Sequence, residues 1–212
     1  MSVPVRPLTI ESAVDELLSS IDSDGCGTEV ATALRQKAAQ LLRQVRPHSP
    51  RLTSQQRRYL VESGDFTPEE FAETEERVAR GELREMEQRT SLDTIAASYG
   101  ESEVAALLEI PREEVRSLHS EGKLYAFDAA GVTVYPRWQF TDETPDGLLP
   151  HLAHLLESFL PDERHPASVQ GFMTVPKDDL SLHGEWQSPV QWLLRGASPD
   201  VIDDILEGER WR

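Results

Sequence analysis

The sequence predicts a mainly α protein, with a helical N-terminal region, a small two-helix unit carrying a β-hairpin in the middle, and a helical C-terminal region. Three observations lead there. Apolar residues recur at helical spacing through most of the chain. Serine and threonine caps, followed by proline or by Gln or Glu three residues on, mark several helix starts. Two short apolar runs, "LYAF" (124–127) and "VTVY" (132–135), flank the turn "DAAG" and read as one hairpin.

Taken in order, residues 27–46 read as an amphipathic helix lined by Val30, Leu34, Ala38, Leu41, Leu42 and Val45. The prolines of "RPHSPRL" (46–52) stop it. Thr53 with Gln56 is a capping-box signature for a second helix, which Gly64 ends. In "TPEE", Thr67 is an N-cap, Pro68 suits the first helical position and Glu70 completes the box. The helix predicted over about 68–90 is rich in Glu and Arg, with Phe71, Val78, Leu83 and Met86 as its few apolar residues. Such a helix is solvated, packs a narrow seam or links two halves. A short helix near 91–99 leads to Gly100.

Ser102 caps the next predicted helix, whose apolar face is Val104, Leu107 and Leu108. Ile110 and Pro111 make a joint, with Pro111 at the first position of a following helix; Val115 and Leu118 turn inward, and Gly122 stops it. Beyond the hairpin, "DGLLPHLAHLLESFL" presents a broad apolar face of Leu149, Leu152, Leu155, Leu156, Phe159 and Leu160, and "HPASVQGFM" is a short helix. Two matched starts, Ser188-Pro189 and Ser198-Pro199 with Gly196 between them, predict a tight helical hairpin. Three regions result: 1–90, 91–140 and 141–212.

Composition narrows the function. With 38% hydrophobic and 28% charged residues the chain has the make-up of a soluble globular protein. No apolar run suffices for a membrane span and "MSVPVRPLTI" lacks a signal-peptide core, so a cytoplasmic protein with no membrane partner is expected. The lone Cys26, in "SDGCGT", excludes an intramolecular disulfide and a cysteine metal cluster. The net charge is −17, yet it is segregated: −5 over 1–29, +7 over 30–61, −7 over 62–100, −3 over 101–140 and −9 over 141–212. The basic block holds Arg35, Lys37, Arg43, Arg46, Arg51, Arg57 and Arg58 without a single acid. It reads either as a solvated surface pairing with the acidic helix or as a phosphate contact.

Two helices at a sharp joint followed by a β-hairpin are the parts of a winged helix-turn-helix. Residues 102–140, through "SEVAALLEIPREEVRSLHSEGKLYAF" and "YPRWQF", resemble the winged-helix domain of the MerR and phage excisionase families. The resemblance implies that the second helix enters the major groove of double-stranded operator DNA. Arg112, Arg116, Ser117, His119 and Ser120 would then be its reading residues, with Lys123 and Arg137 on flanking phosphates. Arg112 and Arg116 stand one turn apart on one face. The hairpin "DAAGVTV" carries Asp128 and no cation, and acids outnumber bases in this unit. Binding therefore calls for a homodimer or for help from the basic block.

The region from about 148 to 208, through "GFMTVPKDDL" and "SPVQWLLRGASPDVIDDIL", resembles the toxin-binding region of bacterial antitoxins of the Xre/MbcA/ParS type. It implies a cognate toxin protein as partner, contacted by Pro189, Trp192, Leu193 and Arg195 of the hairpin and by Trp211 and Arg212 at the chain end. Together the two resemblances describe a self-regulating antitoxin of a toxin-antitoxin pair. The rivals are an acidic adaptor whose helix-turn-helix docks a protein, and a ligand-responsive MerR-like regulator.

No catalysis is expected. His151, His154 and Glu157 recur at helical spacing, but no fourth ligand accompanies them, and no metal or other cofactor is assigned. The chain has no phosphate-binding glycine loop, nucleophile elbow or calcium loop.

Overall fold

The computed structural model describes residues 10–23, 27–43, 53–63, 67–159 and 164–210. Cys26, Gly64, Arg46, Arg51, Trp211 and Arg212 lie outside them. The protein is mainly helical, with small antiparallel sheets. No helix among the described residues is long and apolar enough to cross a membrane.

The N-terminal helices are α1 (Ile10–Ser23), α2 (Thr28–Arg43), α3 (Ser54–Glu62), α4 (Pro68–Arg80) and α5 (Glu82–Ala96). Helix α1 is an element that the sequence reading does not assign. Its Ala13 and Val14 are buried against Val30, Ala33, Leu34 and Ala38 of α2 and Leu92 and Ile95 of α5. The capping boxes form as expected. Thr53 N–H donates to Gln56 Oε1 at 3.0 Å, and Thr67 N–H donates to Glu70 Oε2 at 2.9 Å.

The helix expected over 68–90 is two helices. Gly81, at φ 83°, ends α4 by donating to the carbonyls of Arg77 and Val78, and α5 starts immediately after it. Only glycine adopts this left-handed geometry without steric cost, which is why the break falls there. The helix expected near 91–99 is the second half of α5, and its last residues become a strand.

That strand, β1 (Ser98–Gly100), pairs with β3 (Thr133–Pro136), which also pairs with β2 (Phe127–Asp128). The sheet order is β1-β3-β2. Strand β2 is shorter than "LYAF" suggests, because Leu124, Tyr125 and Ala126 are held outside the ladder. Between β2 and β3, Ala130 (φ 60°) and Gly131 (φ 92°) make a two-residue turn whose twist suits a hairpin. Successive residues of β3 face opposite sides. Val134 enters the N-terminal core, whereas Tyr135 enters a second core.

The second core joins α6 (Glu101–Leu107) and α7 (Arg112–Ser120) to α8 (Leu152–Phe159), α9 (Pro166–Thr174), α10 (Pro189–Leu194) and α11 (Asp200–Arg210). Val104, Val115, Leu124, Tyr135, Leu155, Leu156, Met173, Leu193 and Ile202 are completely enclosed in it. Helix α6 is capped at Gly100, whose N–H donates to Glu103 Oε2 at 2.7 Å, and not at Ser102 as expected. Pro111 is the residue before α7 and not its first.

The C-terminal region is not wholly helical. β4 (Lys177–Leu182) and β5 (Glu185–Gln187) form a hairpin turned by His183 (φ 53°) and Gly184 (φ 82°). Leu180 anchors it in the core. The expected helical hairpin is present: Gln191 N–H donates to Ser188 Oγ at 3.2 Å, and Gly196 turns the chain at φ 73°.

Candidate nucleic-acid interface and partner-binding hairpin

The joint between α6 and α7 is a tight turn in which Glu109 takes φ 55° and Ile110 N–H donates to Ala105 O at 3.0 Å. It sets α7 so that Val115 is enclosed and Arg112, Glu113, Arg116, Ser117 and Ser120 face solvent. Glu114 is exposed as well, and six outward polar residues against one fully buried one leave α7 a largely presented helix.

The two arginines are engaged with carboxylates. Arg112 Nε donates to Glu101 Oε1 at 2.7 Å and its NH2 donates to Glu29 Oε1 at 2.8 Å. The Glu101 hydrogen bond, then the Glu29 charge, hold the Arg112 guanidinium above its ordinary pKa. Arg116 reaches Glu113 at 3.1 Å and lies 3.9 Å from Glu101. Glu29 also accepts from Ser102 N–H at 2.9 Å and Ser102 Oγ at 3.2 Å, so it bridges α2, the start of α6 and α7. The arginines are half exposed, whereas Glu29 and Glu101 are partly buried, so only the Arg116–Glu113 pair is a solvent-exposed one that adds little to stability.

The other expected reading residues divide. Ser117 Oγ donates to Glu121 Oε1 at 2.8 Å, and Ser120 Oγ donates to Ser117 O at 2.8 Å. Lys123 Nζ sits 2.7 Å from Glu121, and this contact, with the Ser117 hydroxyl, holds the Glu121 carboxyl below its ordinary range. His119 turns inward: its Nδ1 lies 3.2 Å from Leu124 O and its ring meets the Tyr135 ring edge-on. Arg137, just after β3, is half-buried against β1, with Nε 3.4 Å from Ser98 O and its guanidinium 4.9 Å from the Tyr99 ring centre. Arg112, Arg116, Ser117 and Ser120 therefore share one surface, and His119 and Arg137 lie elsewhere. Arg35, Arg43 and Arg58 of the basic block are exposed on α2 and α3.

Sequence reasoning missed Gln139, which is completely buried. Its Oε1 accepts from Tyr125 N–H at 2.9 Å, while its Nε2 donates to Tyr125 O at 2.8 Å and Pro136 O at 3.1 Å. It ties the segment after α7 to the end of β3. Tyr125 stacks on Trp138 at 6.1 Å, and burial pushes its phenol up to about 12.

In the C-terminal hairpin, Pro189 and Leu193 are buried and shape it from within. Trp192 is half-buried, with Nε1 donating to Ser198 O at 2.8 Å, and Arg195 is exposed.

The His151, His154 and Glu157 spacing gathers no ligand set among the described residues. His151 precedes α8 at φ 61°, and the group that converges is His154, Asp200 and Asp203. His154 Nε2 lies 2.6 Å from Asp203 Oδ2, while Asp200 Oδ2 accepts from Ser198 Oγ at 2.8 Å. The cluster thus reads as an ion pair across α8 and α11 beside a helix cap. The Asp203 hydrogen bond raises the His154 pKa. A raised folded-state pKa means that its stabilisation is complete below the unfolded value of about 6.5 and is lost as pH climbs through the folded value. The stability read from urea unfolding is expected to fall slightly as pH climbs from about 6.5 through the raised folded value, by under ~1 kcal/mol because His154 is half exposed. That slope should shrink in Asp203→Asn, with Glu157 and Asp200 left to act on His154.

No family model, curated protein or solved structure matches the chain.

Proposed function

We propose that the protein is a DNA-binding transcriptional regulator, the antitoxin of a toxin-antitoxin pair, working in the cytoplasm as a homodimer. In this reading α6, α7 and the β2–β3 hairpin act as a winged helix-turn-helix that represses its own promoter. The C-terminal region neutralises a cognate toxin, with Trp192, Arg195 and the chain end at Trp211 and Arg212 in contact with it. No cofactor or catalytic step is involved. The observation that carries the reading is the exposed face of α7, where Arg112, Arg116, Ser117 and Ser120 project from a helix held at its back by Val115.

A second reading, a protein-docking adaptor, has its own observation in its favour. Arg112 and Arg116 are already engaged by Glu29, Glu101 and Glu113, so their charge is partly spent within the chain.

Fluorescence anisotropy on the upstream duplex and a scrambled one, across a salt series, separates the two. A regulator prefers its own duplex. Arg112→Ala/Arg116→Ala should abolish that preference and flatten the slope of log affinity against log salt by about 1.8, the share of two neutralised phosphates. Glu29→Gln, which removes a competing carboxylate from Arg112, should tighten binding. Absence of binding to either duplex at low salt refutes the regulator and leaves the adaptor.

A further inference from the structure

An open groove of about 730 Å³ runs between the β4–β5 hairpin and α11. Its lining includes Trp186, Val201 and Ile205 as apolar residues and Asp178, Asp179 and Asp204 as acids. Trp186 is 65% exposed, and Val175, just before the hairpin, is 55% exposed. Trp186 keeps most of its surface in solvent beside Val201 and Ile205, which are themselves only partly buried, so folding leaves apolar surface uncovered next to the acids.

The charge of the groove is equally one-sided. Among the described residues, none of Asp178, Asp179 and Asp204 makes an ion pair, unlike Glu101, Glu113 and Glu121 around α7. Lys177, a cation of the lining, is drawn to the Phe172 ring, with Nζ 4.2 Å from its centre. A lining that mixes apolar side chains with unpaired carboxylates repels nucleic acid and acidic peptides, and its complement is cationic and apolar together.

We propose that this groove docks a cationic amphipathic segment of a partner polypeptide. The apolar side of that segment would lie on Trp186, Val201 and Ile205, and its Lys or Arg side chains would reach Asp178, Asp179 and Asp204. An arginine there can also stack on the Trp186 indole. The proposal rests on the reading of the C-terminal region as partner-binding, and it places the anchor on the β-hairpin.

The test uses the full chain with a fluorescein-labelled amphipathic Leu/Lys peptide, its Leu/Glu counterpart and a polar Ser/Lys peptide. The native protein should bind the Leu/Lys peptide alone. Trp186→Ala and Asp178→Asn/Asp204→Asn should each weaken it about ten-fold, as loss of an interface anchor does. Both changes are at exposed positions, and circular dichroism checks that each variant is folded. Equal binding by the variants, or equal binding of the Ser/Lys peptide, overturns the proposal in favour of general attraction to an acidic protein. A native dimer that Trp186→Ala dissociates in sedimentation velocity overturns it in favour of a second copy. Operator binding is read separately on the same preparations. Its absence with peptide binding retained ends the regulator reading and leaves the groove; the reverse pattern ends the groove alone.

Discussion

Gln139→Leu is expected to destabilise the protein by about 3 kcal/mol, because three buried backbone groups lose their partner at once. The leucine fills similar space but supplies neither donor nor acceptor. The Tyr125 N–H and the carbonyls of Tyr125 and Pro136 would then stay enclosed beside a residue that is itself completely buried. Leaving one such group unsatisfied costs about 1–3 kcal/mol, and partial relaxation keeps the total below the sum. Urea unfolding should show a lower midpoint with an unchanged slope, the sign of lost stability without a changed unfolded state. Amide exchange should rise first at Tyr125 and Phe127. A loss under about 1 kcal/mol would mean that these groups find other partners, and Gln139 would not be the brace described here.

Gly100→Ala should cost about 2 kcal/mol, in the range for forcing one extra carbon into a packed site. An added Cβ would collide with Glu29 Oε2 and stand 2.6 Å from Glu29 Cβ. The carboxylate can swing away, but Cβ moves only with the backbone of α2. The substitution therefore pries α2 from the start of α6 and removes the Glu29 bonds to Ser102 and Arg112. Thermal unfolding should drop by about 4–8 °C for a chain of this size. Glu29→Ala in the same chain should recover only part of the loss, since its own Cβ remains. An unchanged melting temperature would show that α2 and α6 do not pack in this way.

Gly100 and Gln139 show where sequence reading stops. Gly100 reads as a local stop, and its need for a bare Cα comes from a helix about 70 residues earlier in the chain. Gln139 sits inside "YPRWQF", yet nothing nearby identifies the Tyr125 backbone as its partner. The engagement of Arg112 by Glu29 is likewise invisible locally, since the two stand 83 positions apart. β1 reads as helix in the sequence because three residues are too few to show an alternating pattern. The β4–β5 hairpin had a legible signal in His183-Gly184, a turn pair able to take positive φ, which the helical reading of the C-terminal region passed over.

What the sequence by itself determined is the mainly helical class, the caps at Thr53, Thr67 and Ser188, and the turns at Gly122 and Gly196. Thr53 with Gln56, Thr67 with Pro68 and Glu70, Ser188 with Pro189, and the left-handed Gly122 and Gly196 are all where their residue types require. Each is settled within three or four residues, where the donor, the acceptor and the backbone preference are adjacent in the chain. Only the tertiary structure decided the order of the sheet, the carboxylates that hold Arg112 and Arg116, the buried bracket at Gln139 and the acidic groove beside Trp186. Those depend on which apolar faces pack together, and packing brings into contact residues whose separation along the chain carries no pattern.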